Sequence, residues 1–139
     1  MYGIIATWRM ALEGISKADS MLKNNESAAD SIEEAIKAVE DFEYYKSVGY
    51  GGLPNEEMEV ELDAAFMDGD TLEFGCVGGV KDFANPVSIA RSLMHYDANN
   101  FLVGQGAEKY ASRHGFERKT MLTDRAKIHY HNRTKEIAN

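Results

Sequence analysis

A chain of 139 residues fills one domain, 1–139, with little left over. Hydrophobic residues make up 44% and charged residues 27%, an ordinary globular composition that excludes disorder. The 15 Lys and Arg against 23 Asp and Glu leave a net charge of −8, which repels phosphate backbones and anionic lipid, so neither a nucleic acid nor a membrane is an expected partner.

The first apolar, β-branched run, Tyr2 to Thr7, suits a buried strand. From Trp8 the pattern turns helical: Met10, Ala11, Gly14, Ile15, Ala18, Met21 and Leu22 recur at three- and four-residue spacings on one face. After a loop at Lys23–Glu26, Ser27 caps a second helix, with Asp30 as its capping-box partner and a stripe of Ala28, Ala29, Ile32, Ala35, Ile36 and Val39. These two helices are expected to form one layer packed against a sheet. Ser47-Val48-Gly49-Tyr50-Gly51-Gly52-Leu53-Pro54-Asn55 holds too much Gly and Pro for a regular element. It is a shaped loop, with glycines in excess of what a simple turn requires, which points to unusual backbone dihedrals beside something functional.

Met58 to Phe66 alternates strictly, with Met58, Val60, Leu62, Ala64 and Phe66 on the apolar side. Asp68-Gly69 signals a hairpin, and Thr71 to Val80 returns as a strand whose Gly75, Gly78 and Gly79 imply a close neighbour on its backbone. Asn85 is the expected N-cap and Pro86 the first turn of a helix that buries Val87, Ile89, Ala90, Leu93 and Met94. Phe101–Val103 is a short strand, Ala107 to His114 a helix stopped by Gly115, and Thr123 to Ile137 a polar helix. The pattern is α+β, a sheet of about four strands covered by helices. With edges unprotected and a thin core, that sheet calls for completion by another chain or segment.

Charge is unevenly spread. Glu108 to Asn139 carries eight basic and four acidic residues, a surplus of four that leaves −12 on the rest. The segment 117–139 is therefore a basic, partly flexible tail, read as a solvated helix of mixed charge and not as a nucleic-acid arm. No apolar run approaches the roughly 20 residues that span a bilayer, and Met1 to Arg9 carries no basic n-region of a secretory signal. The expected location is the cytoplasm.

Isolated reactive residues have plain explanations. Cys76, alone in the chain, excludes a disulfide framework and is expected as a small strand hydrophobe. His129 and His131 stand two apart and so point to nearly opposite sides of a helix, without a third metal ligand; His95 is a surface or cap residue. Glu56, Glu57, Glu59 and Glu61 lack calcium-loop spacing and form a solvated face. The glycine loop is no phosphate cradle, because no Lys-Ser or Lys-Thr follows it. No metal is expected.

The loop Ser47–Asn55 followed by Val60–Gly69 closely resembles the glycosylasparaginase (aspartylglucosaminidase) family of N-terminal nucleophile hydrolases, the type 2 asparaginases. Ala6-Thr7-Trp8, Asn85-Pro86-Val87-Ser88-Ile89-Ala90-Arg91 and Leu102-Val103-Gly104-Gln105-Gly106-Ala107 fall in the family's order, and the likeness fades beyond Phe116. The resemblance implies an αββα four-layer sandwich, made from a precursor that cleaves itself before a threonine, with this chain as the α subunit. It implies a β subunit as partner, an (αβ)2 assembly and no cofactor. No catalytic residue would lie in this chain: the nucleophile would be the N-terminal Thr of the β subunit, with its own α-amino group as base and an oxyanion hole for the tetrahedral intermediate.

By the same resemblance Trp8 would wall the substrate pocket, and Ser47 would support catalysis by orienting the nucleophile's α-amino group. Arg9-Met10 departs from the family's small or polar residue followed by phenylalanine, which weakens a sugar-stacking role and makes Arg9 a candidate for holding a substrate carboxylate. The expected substrate is an asparagine-type amide, of which the leaving group is open. A plant-type L-asparaginase or isoaspartyl peptidase is the alternative enzyme, and a non-catalytic remnant of the fold, pairing with a partner, the alternative from another class.

Overall fold

The computed structural model describes residues 1–137; Ala138 and Asn139, the end of the expected tail and domain, lie outside the described residues. A 3₁₀ turn at Arg9–Ala11 leads into α1 (Leu12–Lys23) and α2 (Ala28–Glu40). Then come β1 (Leu62–Met67), β2 (Phe74–Val80), α3 (Pro86–Leu93), β3 (Phe101–Val103), α4 (Gly104–Arg113) and α5 (Asp124–Ile137).

α1 and α2 form a helical hairpin. Gly14 lies so close to α2 that a Cβ there would sit 2.3 Å from the Ala35 carbonyl oxygen. Ser27 caps α2 as expected, its Oγ accepting from the Asp30 N–H at 3.0 Å. The Asp30 carboxylate accepts the Ser27 hydroxyl at 2.6 Å.

The sheet has the order β1-β2-β3, with β1 and β2 antiparallel and β3 parallel to β2. Three strands form among the described residues, not four: Tyr2 to Thr7, exposed except for half-buried Ile4, forms no regular element and joins no ladder. A strand needs a neighbouring strand for its backbone groups, and among the described residues the segment faces the helical hairpin instead. The expected packing of α1 and α2 on the sheet is also corrected. They pack mainly on each other, while α3, with α4, covers the sheet. Ala29 and Ile36 of α2 pack at the border of the main core.

That core lies under α3, where Phe66, Val77, Val80, Phe83, Ile89 and Leu93 are buried. Gly75 sets the approach: a Cβ there would sit 2.0 Å from the Ala90 carbonyl oxygen and 2.9 Å from the Met94 nitrogen. The close neighbour expected from the glycines of β2 is therefore α3 itself. Arg91 ties α3 back to α2, its guanidinium donating to Glu33 and, at 2.7 Å, to Asp30. Alternation in β1 holds, with Leu62 and Phe66 buried and Asp63, Ala65 and Met67 exposed, although the regular ladder begins only at Leu62.

The face of the sheet turned away from α3 is largely apolar and bare. Met67, Phe74, Phe101 and Val103 are 59%, 44%, 56% and 61% exposed, with half-buried Cys76 among them. Gly75→Ala should force α3 off the sheet at a cost of about 3 kcal/mol, the upper end for overpacking. A denaturant titration checks this as a lowered midpoint at unchanged slope.

Candidate functional site

The glycine loop is held from three sides. The Tyr50 N–H donates to the Glu40 carbonyl at 2.7 Å, that of Gly51 to the Met121 carbonyl at 2.9 Å, and that of Leu53 to the Lys46 carbonyl at 2.8 Å. Gly49 and Gly51 take φ of 64° and 80°, the left-handed region that disfavours side chains. At Gly49 space forbids them as well, because a Cβ would sit 2.0 Å from the Glu40 carbonyl oxygen. The unusual dihedrals expected from the excess glycines are thus present, and they serve to press the loop onto the end of α2.

The segment 117–123 straps the loop from outside. Met121 is fully buried against Val60 and Leu62, with Tyr50 at the edge of the cluster. Lys119 Nζ lies 4.0 Å above the Tyr50 ring, and the Arg125 guanidinium 4.5 Å above that of Tyr44. Such cation–π contacts contribute about 0.5–1 kcal/mol each where exposed.

Glu40 joins the loop to α3. Its side chain is buried, with one carboxylate oxygen accepting from the Val87 N–H at 3.2 Å and the other from Asn85 Nδ2 at 3.2 Å. Asn85 stands at the N-cap position, as the sequence indicates, yet its side chain does not cap. It donates to Glu40 and, at 3.0 Å, to Asp41. One free N–H of α3, that of Val87, is met by a carboxylate from another helix, which also suits the positive end of the helix dipole. Burial raises the Glu40 carboxyl to about 7; the Asn85 and Val87 donors oppose this, and the charges of Asp41 and Glu33 add to it. Sequence reasoning missed Glu40, although it falls four residues after Ile36, on the apolar stripe of α2.

Beside the loop lies a groove of about 620 Å³ between the N-terminal segment and the helical hairpin. Its walls are Ile4, Ile5 and Trp8, the inner faces of α1 and α2, and Ser47 with Val48. Trp8 and Ser47, 39 positions apart, are therefore brought to one cavity. Trp8 is 67% exposed, and Ser47 is exposed as well. Arg9 is exposed and does not line the groove. Among the described residues no acid, base or histidine lines it either. The arrangement can hold an apolar or amide-bearing group against an indole and a hydroxyl. It supplies no group that takes a proton from a nucleophile.

The other titratable residues form ordinary contacts. Glu59 accepts from Lys81 at 2.9 Å, Glu61 from Asn55 at 2.9 Å, and exposed His95 faces Glu73 at 3.4 Å. No cluster of metal-ligating side chains is found among the described residues, His129 and His131 included.

Fold and groove together define an α+β chain with one helix-backed sheet, one bare sheet face and a pocket beside a strained loop. Comparison with known proteins makes this specific. A family model described as Asparaginase, the type 2 asparaginases, matches residues 5–139, and the chain belongs to this family of N-terminal nucleophile hydrolases. It is 35% identical over 120 residues to an N(4)-(β-N-acetylglucosaminyl)-L-asparaginase of Elizabethkingia miricola, covering 86% of this chain and 35% of that protein. It is 38% identical over 124 residues to an isoaspartyl peptidase/L-asparaginase of Rattus norvegicus, covering 84% of this chain and 37% of that protein. Against a plant-type L-asparaginase of Thermococcus kodakarensis the identity is 36% over 121 residues, covering 87% of this chain and 35% of that protein. The chain spans about a third of the length of these curated relatives.

The Glu40 carboxyl generates a pH prediction. Its folded value, about 7, lies above the ordinary 4.5, so the folded state holds a proton that the unfolded state releases. Stability then falls as pH rises from 4.5 to 7, by on the order of 2–3 kcal/mol in all. Glu40→Gln should flatten that stretch of the stability–pH curve, as read by melting temperatures taken at half-unit intervals.

Proposed function

We propose that this chain is the α subunit of an amidohydrolase that cleaves the side-chain amide of asparagine derivatives. The nucleophile is the N-terminal threonine of a β subunit cut from the same precursor. The observation that carries this reading is the groove: it gathers Trp8 and Ser47 beside the glycine loop but contains no proton acceptor. An attacking hydroxyl needs a base and an oxyanion site, and both then arrive with the second chain. Trp8 walls the substrate, and Ser47 orients the α-amino group that serves as base. Arg9, outside the groove but beside Trp8, draws an incoming carboxylate to its mouth. The bare apolar sheet face supports the same reading, because a second sheet laid on it yields the αββα sandwich. An (αβ)2 assembly in the cytoplasm completes the proposal.

A second reading is favoured by one observation. Relatives named as glycosylasparaginase, as isoaspartyl peptidase and as plant-type asparaginase match this chain at nearly equal identity, 35%, 38% and 36%. Arg9 in place of a small or polar residue suits the free carboxylate of a β-aspartyl peptide. Hydrolysis of an isoaspartyl dipeptide set against a glycosylated asparagine decides between the two.

Intact mass spectrometry with N-terminal sequencing of native material tests the proposal first. A second polypeptide that begins with threonine is expected; this chain alone, under gentle purification, would leave only a non-catalytic remnant. In the processed complex, Trp8→Ala should lower kcat/KM about 30-fold or more, the scale of losing an anchoring aromatic, with assembly intact. Ser47→Ala should lower kcat or self-cleavage at least tenfold, with a melting temperature within a few degrees of the wild type. Loss of the complex in the first case, or unchanged kinetics in the second, would remove that residue from the site.

A further inference from the structure

The geometry points to Tyr45 as a positioning residue for the substrate pocket, a clip that sets the distance between the Trp8 turn and the Ser47 loop. This rests on the amidohydrolase reading for its kinetic consequence, but not for its structural one. The Tyr45 hydroxyl donates to the Met10 carbonyl at 3.1 Å across 35 residues of sequence. Met10 lies in the 3₁₀ turn that follows Trp8, and Tyr45 lies two residues before Ser47. No other hydrogen bond joins that turn to residues 42–55 among the described residues.

The two sides of the clip are unequally secured. On the loop side, Tyr50 and Gly51 donate backbone hydrogen bonds to the end of α2 and to Met121, Leu53 closes the loop on Lys46, and the Tyr45 ring packs on Phe42 at 4.7 Å between centroids. On the turn side, residues 5–9 are exposed. Their neighbouring tethers are local or distant: the Ala11 N–H to the Trp8 carbonyl at 3.1 Å, and the Tyr2 hydroxyl to Asp19 at 2.8 Å. Removing the Tyr45 hydroxyl therefore leaves the turn, with Met10 and Ala11 half-buried, held only by its packing on α1 and α2, and leaves the loop in place. The turn carries Trp8, so the loss falls on substrate binding and not on the proton transfer that Ser47 supports.

Tyr45→Phe keeps the ring and deletes one donor. In the processed complex, with L-asparagine as substrate, it should raise KM about fivefold, the equivalent of one neutral hydrogen bond, while kcat changes less than twofold. Trp8 is the single tryptophan of this chain, so its emission is obtained by subtracting the signal of a Trp8→Phe complex. That emission should lose anisotropy and gain acrylamide quenching in Tyr45→Phe. A fall in kcat at constant KM, or a Trp8 signal identical to wild type, overturns the clip. Failure of Tyr45→Phe to fold overturns it too, since the hydroxyl would then support the whole chain. A wild-type complex that hydrolyses neither L-asparagine nor any β-aspartyl amide defeats the amidohydrolase reading instead, and the Trp8 signal alone then decides the clip.

Discussion

The last residue of α2 is the point on which the rest of the chain turns. The Glu40 backbone accepts the Tyr50 N–H and presses on Gly49, where no Cβ fits, while its carboxylate accepts the Val87 N–H at the start of α3. One residue thus fixes the glycine loop and the start of the helix that covers the sheet. Its burial carries an energetic cost that is visible in the raised carboxyl. A Gln or Met would fill the space without the charge, but neither offers two acceptor oxygens to Asn85 and Val87.

Around that hub the molecule is well packed on one side and open on the other. The core under α3 is close-packed, with Ile89, Ala90 and Leu93 fully buried. The outer sheet face and the groove between α1, α2 and the N-terminal segment expose Phe101, Val103, Trp8 and Ile5. At about 25 cal/mol per Å² of apolar surface, covering these faces is worth far more than the strap contacts or the exposed ion pairs. On the proposed reading, covering these faces contributes to the stability of the αβ complex.

What could be read from sequence follows from how local each signal is. The Ser27 cap, the alternation of Leu62 and Phe66, the Asp68-Gly69 hairpin and the tight packing at Gly75 each need only a few neighbouring residues, and all are present. Tyr2 to Thr7 misled because β-branched composition says that a segment could be a strand, not that a neighbour is there to pair with it. Asn85 misled because its side chain had a stronger offer from Glu40 and Asp41, which lie more than 40 positions away. The candidate site was legible only in part. Trp8, Arg9 and Ser47 came from resemblance, whereas Glu40 and Tyr45 act through contacts 35 to 47 residues distant, which no periodicity reports.

The division of labour between the groove and its expected partner has a physical logic. A pocket lined by indole, aliphatic carbons and the hydroxyl residues Thr7 and Ser47 orients a substrate cheaply, because none of these groups must be ionised in a dry site. A nucleophile that carries its own amine as base needs no charged residue in the pocket wall, only a neighbour that fixes the amine's orientation. Ser47, on a loop held by hydrogen bonds to Glu40 and Met121 and closed on Lys46, is the residue the proposed reading gives that task. On the proposed reading, the layer that hides the apolar sheet face also delivers the threonine to the groove. Completing the fold and completing the active site are then the same event, so hydrolysis cannot begin on a half-covered chain.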